Sequence, residues 1–167
     1  MDAPVIDQWG PALWTILHYL AERSGRPHEP VGRINRTFEE KRIWLSILSS
    51  LRICIPCPMC RTHYTAYLRA NRVEPIFRLA DDKWGEVLRK WFWDFHNEVR
   101  TSKNQPLELT HEDSNAYYAA MTSVTYQQAK DTFIEHLRRG MFQRLYVRDD
   151  MTKCIRFIQE LRVCLAS

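Results

Sequence analysis

Three of the five cysteines in this chain, Cys54, Cys57 and Cys60, stand within seven residues of one another. In Cys57-Pro58-Met59-Cys60 the sulfurs are three positions apart, which on a helical turn puts them on one face and close enough for a small disulfide loop. At a helix N-terminus the macrodipole and the open N–H groups stabilise a thiolate, so the nearer cysteine becomes a better nucleophile and leaving group. Pro56, just ahead of the pair, favours that placement. The chemistry suggested is thiol–disulfide exchange. Metal binding competes, because Cys54, Cys57, Cys60 and His63 follow one another at three-residue steps and offer four N/S ligands for zinc. On a single helix, however, such ligands rise ~4.5 Å per step, so they close a tetrahedron only if the prolines fold the segment into a loop. Inert structural cysteines are the third possibility. Cys54 suits a small buried hydrophobe at a helix end, and His63 a surface or capping histidine. Cys154 and Cys164 are ten residues apart. That is ~15 Å along one continuous helix, too far for a disulfide, so they are either buried thiols or an accessory redox site.

The elements that must hold these residues read as helices. Only five glycines occur, alternating β-branched residues are scarce, and apolar residues recur every three or four positions. A first helix is expected from near Pro11, with Leu13, Trp14, Leu17, His18 and Ala21 on one stripe and Gly25 as its stop. A polar linker, residues 25–35, follows. Thr37 with Glu40 suggests a capping box for a second helix running to about Cys54, with Ile43, Trp44, Ile47, Leu48 and Leu51 as its apolar face. A third helix starts near Pro58, residues 71–82 form a loop, and a fourth, aromatic helix spans about 83–99. Thr110 with Asp113 and Thr125 with Gln128 are further capping-box candidates, Gly140 a stop, and Asp149 and Asp150 the start of a last helix, about 151–165. The expected architecture is all-α: one helical bundle over 1–139 and a C-terminal helical extension over 140–167.

Bulk properties narrow the function classes. The net charge of +4 comes from 24 basic residues spread among 20 acidic ones, without the basic run of a nucleic-acid footprint. Residues 1–10 lack a basic leader with an apolar stretch behind it, and no segment reaches the ~20 apolar residues of a membrane span. The expectation is a cytoplasmic or nuclear protein with no nucleic-acid or membrane partner. Cysteines in reducing compartments more often bind metal or do redox chemistry than form structural disulfides. Six Trp, seven Tyr and seven Phe exceed what a core of this size needs, and suit a flat ligand or an interface.

A thioredoxin-like exchanger would need a strand before the cysteine pair, and the segment before Cys57 has helical periodicity instead. With no GxGxxG in the sequence, any dinucleotide has to be held by helices. Three blocks resemble the Erv/ALR sulfhydryl oxidases. Trp9-Gly10-Pro11-Ala12-Leu13-Trp14-Thr15-Ile16-Leu17-His18 is similar to that family's opening G-x-x-x-W-x-x-x-H helix. Pro56-Cys57-Pro58-Met59-Cys60 is similar to its P-C-x-x-C helix start, and Trp91-Phe92-Trp93-Asp94-Phe95-His96-Asn97-Glu98-Val99 to its W-x-x-x-x-H-N-x-V helix. Their order and separations agree with the family, and the Trp9-Gly10-Pro11 opening and the long aromatic fourth helix look most like its viral branch.

The resemblance implies a four-helix bundle with a short fifth helix, FAD as cofactor, and a homodimer. It implies that a protein dithiol, or a thioredoxin-like carrier, attacks Cys57 while Cys60 faces the flavin, and that O₂ takes the electrons to give hydrogen peroxide. Gly10, Trp14, His18, Trp93, His96, Asn97 and Val99 are then expected at the cofactor, and Tyr126 as an aromatic against it. The family's H-N-x-V-N continuation has Arg100 here in place of the second Asn, and Gln105 in place of a Lys. Arg100 or Lys103 is therefore expected to meet the pyrophosphate by charge complementarity. An arginine usual before the first-helix Trp is absent, and Ala70-Asn71 stands where a long-range structural disulfide often has a cysteine. The alternative class is a non-enzymatic module holding zinc on Cys54, Cys57, Cys60 and His63.

Overall fold

Apolar side chains at helical spacing become helix along almost the whole chain. The computed structural model describes residues 1–28, 35–107 and 109–166 and has no strand among them. The helices are α1 (Ile6–Arg23), α2 (Arg36–Cys54), α3 (Pro58–Ala70), α4 (Trp84–Ser102), α5 (His111–Ala120), α6 (Ser123–Phe142) and α7 (Arg148–Ala166). One 3₁₀ turn, Ile76–Arg78, lies within the expected 71–82 loop. The all-α expectation holds. Of the expected linker over 25–35, residues 29–34 lie outside the described residues.

Several boundaries differ from the sequence reading, each for a local reason. α1 starts at Ile6, and Pro11 lies inside it. Pro11 removes one main-chain hydrogen bond on an exposed face, while Trp9, Ala12, Leu13 and Ile16 are buried, so packing carries the helix through the proline. Asn35, not the Thr37/Glu40 box, caps α2, its side chain accepting from the Phe38 N–H at 3.1 Å. Glu40 is taken by tertiary partners, accepting from the Gly25 N–H and from Arg36 Nε at 2.8 Å each. Thr110 caps α5 as expected, accepting from the Asp113 N–H at 3.2 Å and donating its hydroxyl to the Asp113 carboxylate at 2.8 Å. For α6 the cap is Thr122, which accepts from the Thr125 N–H at 3.2 Å, so the helix begins one turn earlier than Thr125/Gln128 suggested. Gly140 is not a stop. It lies inside α6, where a Cβ would run into the Tyr146 phenol, and that hydroxyl donates to the Leu137 carbonyl at 2.8 Å.

The core is shared by all the long helices. α7 lies along α2 and α6 along α1, while α1 also meets α4 and α5. The apolar stripes of α1 and α2 are therefore covered by α6 and α7. Ile16, Leu20, Trp44, Ile47, Trp84, Leu88, Leu137 and Leu161 are fully buried, each aliphatic side chain contributing about 1.5–3 kcal/mol on leaving water. The expected division at 139/140 falls within α6, and Cys154, Ile158 and Leu161 of α7 join the same buried cluster as α1 to α4. Gly25 has a positive φ of 64°, and a Cβ there would lie 2.7 Å from Gly85 Cα. Glycine at both positions lets the end of α1 touch the first turn of α4 directly. No described helix is long and apolar enough to cross a membrane.

Candidate functional site

α2 stops at Cys54 because Pro56 and Pro58 cannot donate main-chain hydrogen bonds, and the chain restarts as α3 with Pro58 at its first position. Cys57 is the N-cap of α3, with extended backbone, and its sulfur accepts from the Cys60 N–H at 3.2 Å. Cys57 and Cys60 form a disulfide across a Cα–Cα distance of 5.2 Å. An open amide and the helix dipole thus point at Cys57, which favours a thiolate there whenever the bond opens. Both cysteines are half-buried, and Met59 between them is 83% exposed, giving the disulfide an apolar rim open to solvent.

The zinc alternative does not survive this geometry. Cys57 and Cys60 are bonded to each other, and His63 turns away to pair with Glu98, Nε2 to Oε1 at 2.9 Å. Cys54 is fully buried at the end of α2. Among the described residues no three His, Cys, Asp or Glu side chains converge as a ligand set.

A cleft of about 660 Å³ opens between the start of α1, the end of α4 and α5. Of the expected cofactor residues, Gly10, Trp14, His96, Val99, Arg100 and Lys103 line it. Trp14 stacks on His96 with ring centroids 4.1 Å apart and planes 9° apart, and His18 stacks on Tyr118 at 4.4 Å and 8°. His18 Nε2 and His96 Nδ1 share a hydrogen bond of 3.1 Å behind this wall. Burial, with His111 adding, pushes the His18 imidazole down to about 3. Burial, with His18, Arg100 and Lys103 adding, pushes His96 down to about 2. Both rings are neutral at physiological pH, so one nitrogen donates while the other accepts. A Cβ on Gly10 would meet no protein atom closer than Ile6 Cγ1 at 3.9 Å, so packing within the chain does not require glycine at this wall. Flat neutral rings, an open glycine wall and the cations Arg100 and Lys103 fit a ligand with a planar and an anionic part.

Neither Cys57 nor Cys60 lines the cleft, but the two regions are joined through one ring. Phe95 of α4 packs edge-on against Trp14 at 5.2 Å, and against Tyr67 and Tyr64 of α3 at 4.4 and 5.7 Å. The remaining expected residues sit elsewhere. Asn97, beside His96 on α4, is not among the lining residues, and its carbonyl accepts from Thr101 at 2.8 Å. The Trp93 indole donates to the Leu109 carbonyl at 2.9 Å and so holds a residue that borders the cleft. Tyr126 is buried against Tyr19 at 4.6 Å in the α1–α6 contact, apart from the cleft. Tyr117 and Tyr118 of α5 line the cleft and were not singled out in the sequence. Arg23 was also passed over. It donates to the carbonyls of Tyr118 at 3.1 Å and Met121 at 2.9 Å, fastening the end of α5 to α1.

The chain is a helical bundle with a CxxC disulfide at a helix start, linked by aromatic packing to a cleft of stacked rings. Comparison with known proteins narrows this: the family model of the Erv1/Alr family matches residues 11–119, and the chain belongs to that family. A frog virus 3 (isolate Goorha) protein is 31% identical over 104 residues, 59% of this chain and 58% of its own length. A protein of Acanthamoeba polyphaga mimivirus is 30% identical over 125 residues, 74% of this chain and 66% of its own. A mitochondrial protein of Saccharomyces cerevisiae is 27% identical over 106 residues, 64% of this chain and 48% of its own. The names of all three carry the words FAD-linked sulfhydryl oxidase. The chain thus spans between about half and two thirds of the length of these relatives. No solved structure matches it.

Proposed function

We propose that this chain is an FAD-linked thiol oxidase that makes disulfides in protein dithiols, acting as a homodimer. The observation that supports it most is the Cys57–Cys60 disulfide at the start of α3, on a helix that meets the ring-lined cleft through Phe95. The relatives' names agree in both cofactor and reaction. A substrate or carrier thiolate attacks Cys57 Sγ, the Cys57–Cys60 bond breaks, and Cys60 leaves as a thiolate. The second substrate thiol then attacks the substrate sulfur of the mixed disulfide. Cys57 leaves as a thiolate under the Cys60 N–H, and the oxidised product departs. What bound FAD supplies is an acceptor for the two electrons of the dithiol, with O₂ as the final acceptor and hydrogen peroxide as product.

In this proposal Gly10, Trp14, His18, His96 and Val99 hold the planar part of the cofactor, and Arg100 and Lys103 its phosphates. Trp93 and Asn97 act from α4 beside them. Tyr126 stays outside the proposed set because it packs on Tyr19. Purified protein is expected to be yellow and to consume oxygen with a dithiol. Cys57→Ser stops turnover by at least a hundredfold while the flavin absorbance remains, and full activity in that variant would sink the assignment.

A further inference from the structure

Cys60, His63, Tyr64 and Tyr67 recur at the i, i+3, i+4 and i+7 spacing of one helix face. The last three of them all meet α4. Tyr67 packs on Trp91 at 5.4 Å and on Phe95 at 4.4 Å, Tyr64 on Phe95 at 5.7 Å, and the His63 ring edge-on to Phe95 at 6.3 Å. His63 Nε2 also lies 2.9 and 2.7 Å from the two carboxylate oxygens of Glu98. Residue numbers fall along α3 as they rise along α4, so the two helices run antiparallel in this contact. One turn beyond the His63–Glu98 pair, the same register carries Cys60 to the stretch of α4 around Val99 and Ser102. Val99 lines the ring-walled cleft, and Cys60 and Val99 both pack on the shared core.

We propose that the His63–Glu98 pair is a positioning tie that holds Cys60 in register against the cleft end of α4. The inference rests on the reading that Cys60 is the sulfur facing the cofactor. α3 runs close along α2 and reaches α4 mainly through side chains. The ring contacts with Phe95 are apolar and carry little directional preference, so they leave α3 free to slide, whereas a hydrogen bond to a carboxylate fixes distance and direction. Among the described residues the His63–Glu98 pair is the polar α3–α4 contact nearest the disulfide, while the Trp91 indole donating to the Asn71 carbonyl at 2.9 Å closes the far end of α3. The two side chains are 34% and 45% exposed, and an ion pair so open to water adds little to stability. What the pair supplies is therefore placement. Cys57 is the N-cap, with extended backbone, and stands outside this face. The tie thus acts on Cys60 and leaves thiolate attack at Cys57 untouched.

Rapid mixing of the full chain with dithiothreitol separates the two steps. In Glu98→Ala the limiting rate of flavin bleaching at saturating dithiol is expected to fall about tenfold, while the second-order rate at low dithiol changes by less than about twofold. Glu98→Gln keeps an acceptor for His63 and is expected to restore most of the limiting rate. The double variant of His63→Ala with Glu98→Ala falls no further than either single change, because each removes the same contact. A second readout needs no flavin: the reduced protein is labelled with iodoacetamide and each cysteine is followed by peptide mass. Cys60 is expected to label several-fold faster in Glu98→Ala, with Cys57 unchanged. An unchanged limiting rate, unchanged Cys60 labelling, equal losses in Glu98→Gln and Glu98→Ala, or an equal fall of both rates overturns the tie. A colourless protein, or full activity in Cys57→Ser, sinks the oxidase reading instead, and the labelling still reports whether Glu98 holds Cys60.

Discussion

His18 and His96 meet as neutral rings because each is desolvated and each lies beside other cationic or titratable groups, His111 for the first and Arg100 and Lys103 for the second. In the unfolded chain an imidazole takes its proton near 6.5, and in the folded chain only near 3 or 2. Below pH 6.5 the unfolded chain thus binds more protons, and stability falls as pH drops through that window, with no contribution from the pair above about pH 7. At pH 5 the loss is about 2 kcal/mol for each ring. Urea midpoints at pH 7.5 and pH 5 check this, and a His18→Gln variant is expected to flatten the dependence. Unchanged midpoints would mean that the rings are not held neutral. The pairing itself was only half legible: Trp14 and His18 share a face by their spacing, but nothing local to α1 signals His96.

Among the elements, α5 depends most on contacts outside itself. Ten residues are marginal as an isolated helix, and α5 is kept by the Thr110 cap at one end and Arg23 at the other. Arg23→Met keeps the aliphatic length but removes the charged donors from the Tyr118 and Met121 carbonyls. We expect a loss of about 1–3 kcal/mol in unfolding free energy, with weaker flavin retention because Tyr118 no longer backs His18. A variant as stable and as yellow as the parent would remove Arg23 from the site. The Thr110 cap was readable because it is complete within four residues. The α2 and α6 starts were misread because several Ser, Thr and Asn candidates crowd each one, and tertiary partners such as Gly25 for Glu40 decide which serves.

For the whole molecule, the issue is which surfaces are left. α6 and α7 cover the apolar faces of α1 and α2, so the proposed homodimer has to be built from other surface. Sedimentation equilibrium of the full chain is expected to give twice the 20.0 kDa of the single chain. A mass of 20.0 kDa at micromolar concentration would remove the dimer from the proposal. The shared core also joins the last helix to the first four, which composition alone did not reveal, since an amphipathic helix of this length reads the same whether it packs or stands apart.

The sequence alone determined the helical class, the start of α3 and the disulfide-forming pair, because apolar period, proline punctuation and a three-residue sulfur spacing are properties of adjacent residues. Gly10, Trp14 and His96, which line one side of the cleft, were singled out only through the resemblance of three short blocks to the Erv/ALR family. Only the tertiary structure decided that Trp14 stacks on His96 and that Tyr118 closes behind His18. Those contacts join residues far apart in the chain, and each is set by the packing of whole helices rather than by any local preference that a stretch of sequence carries.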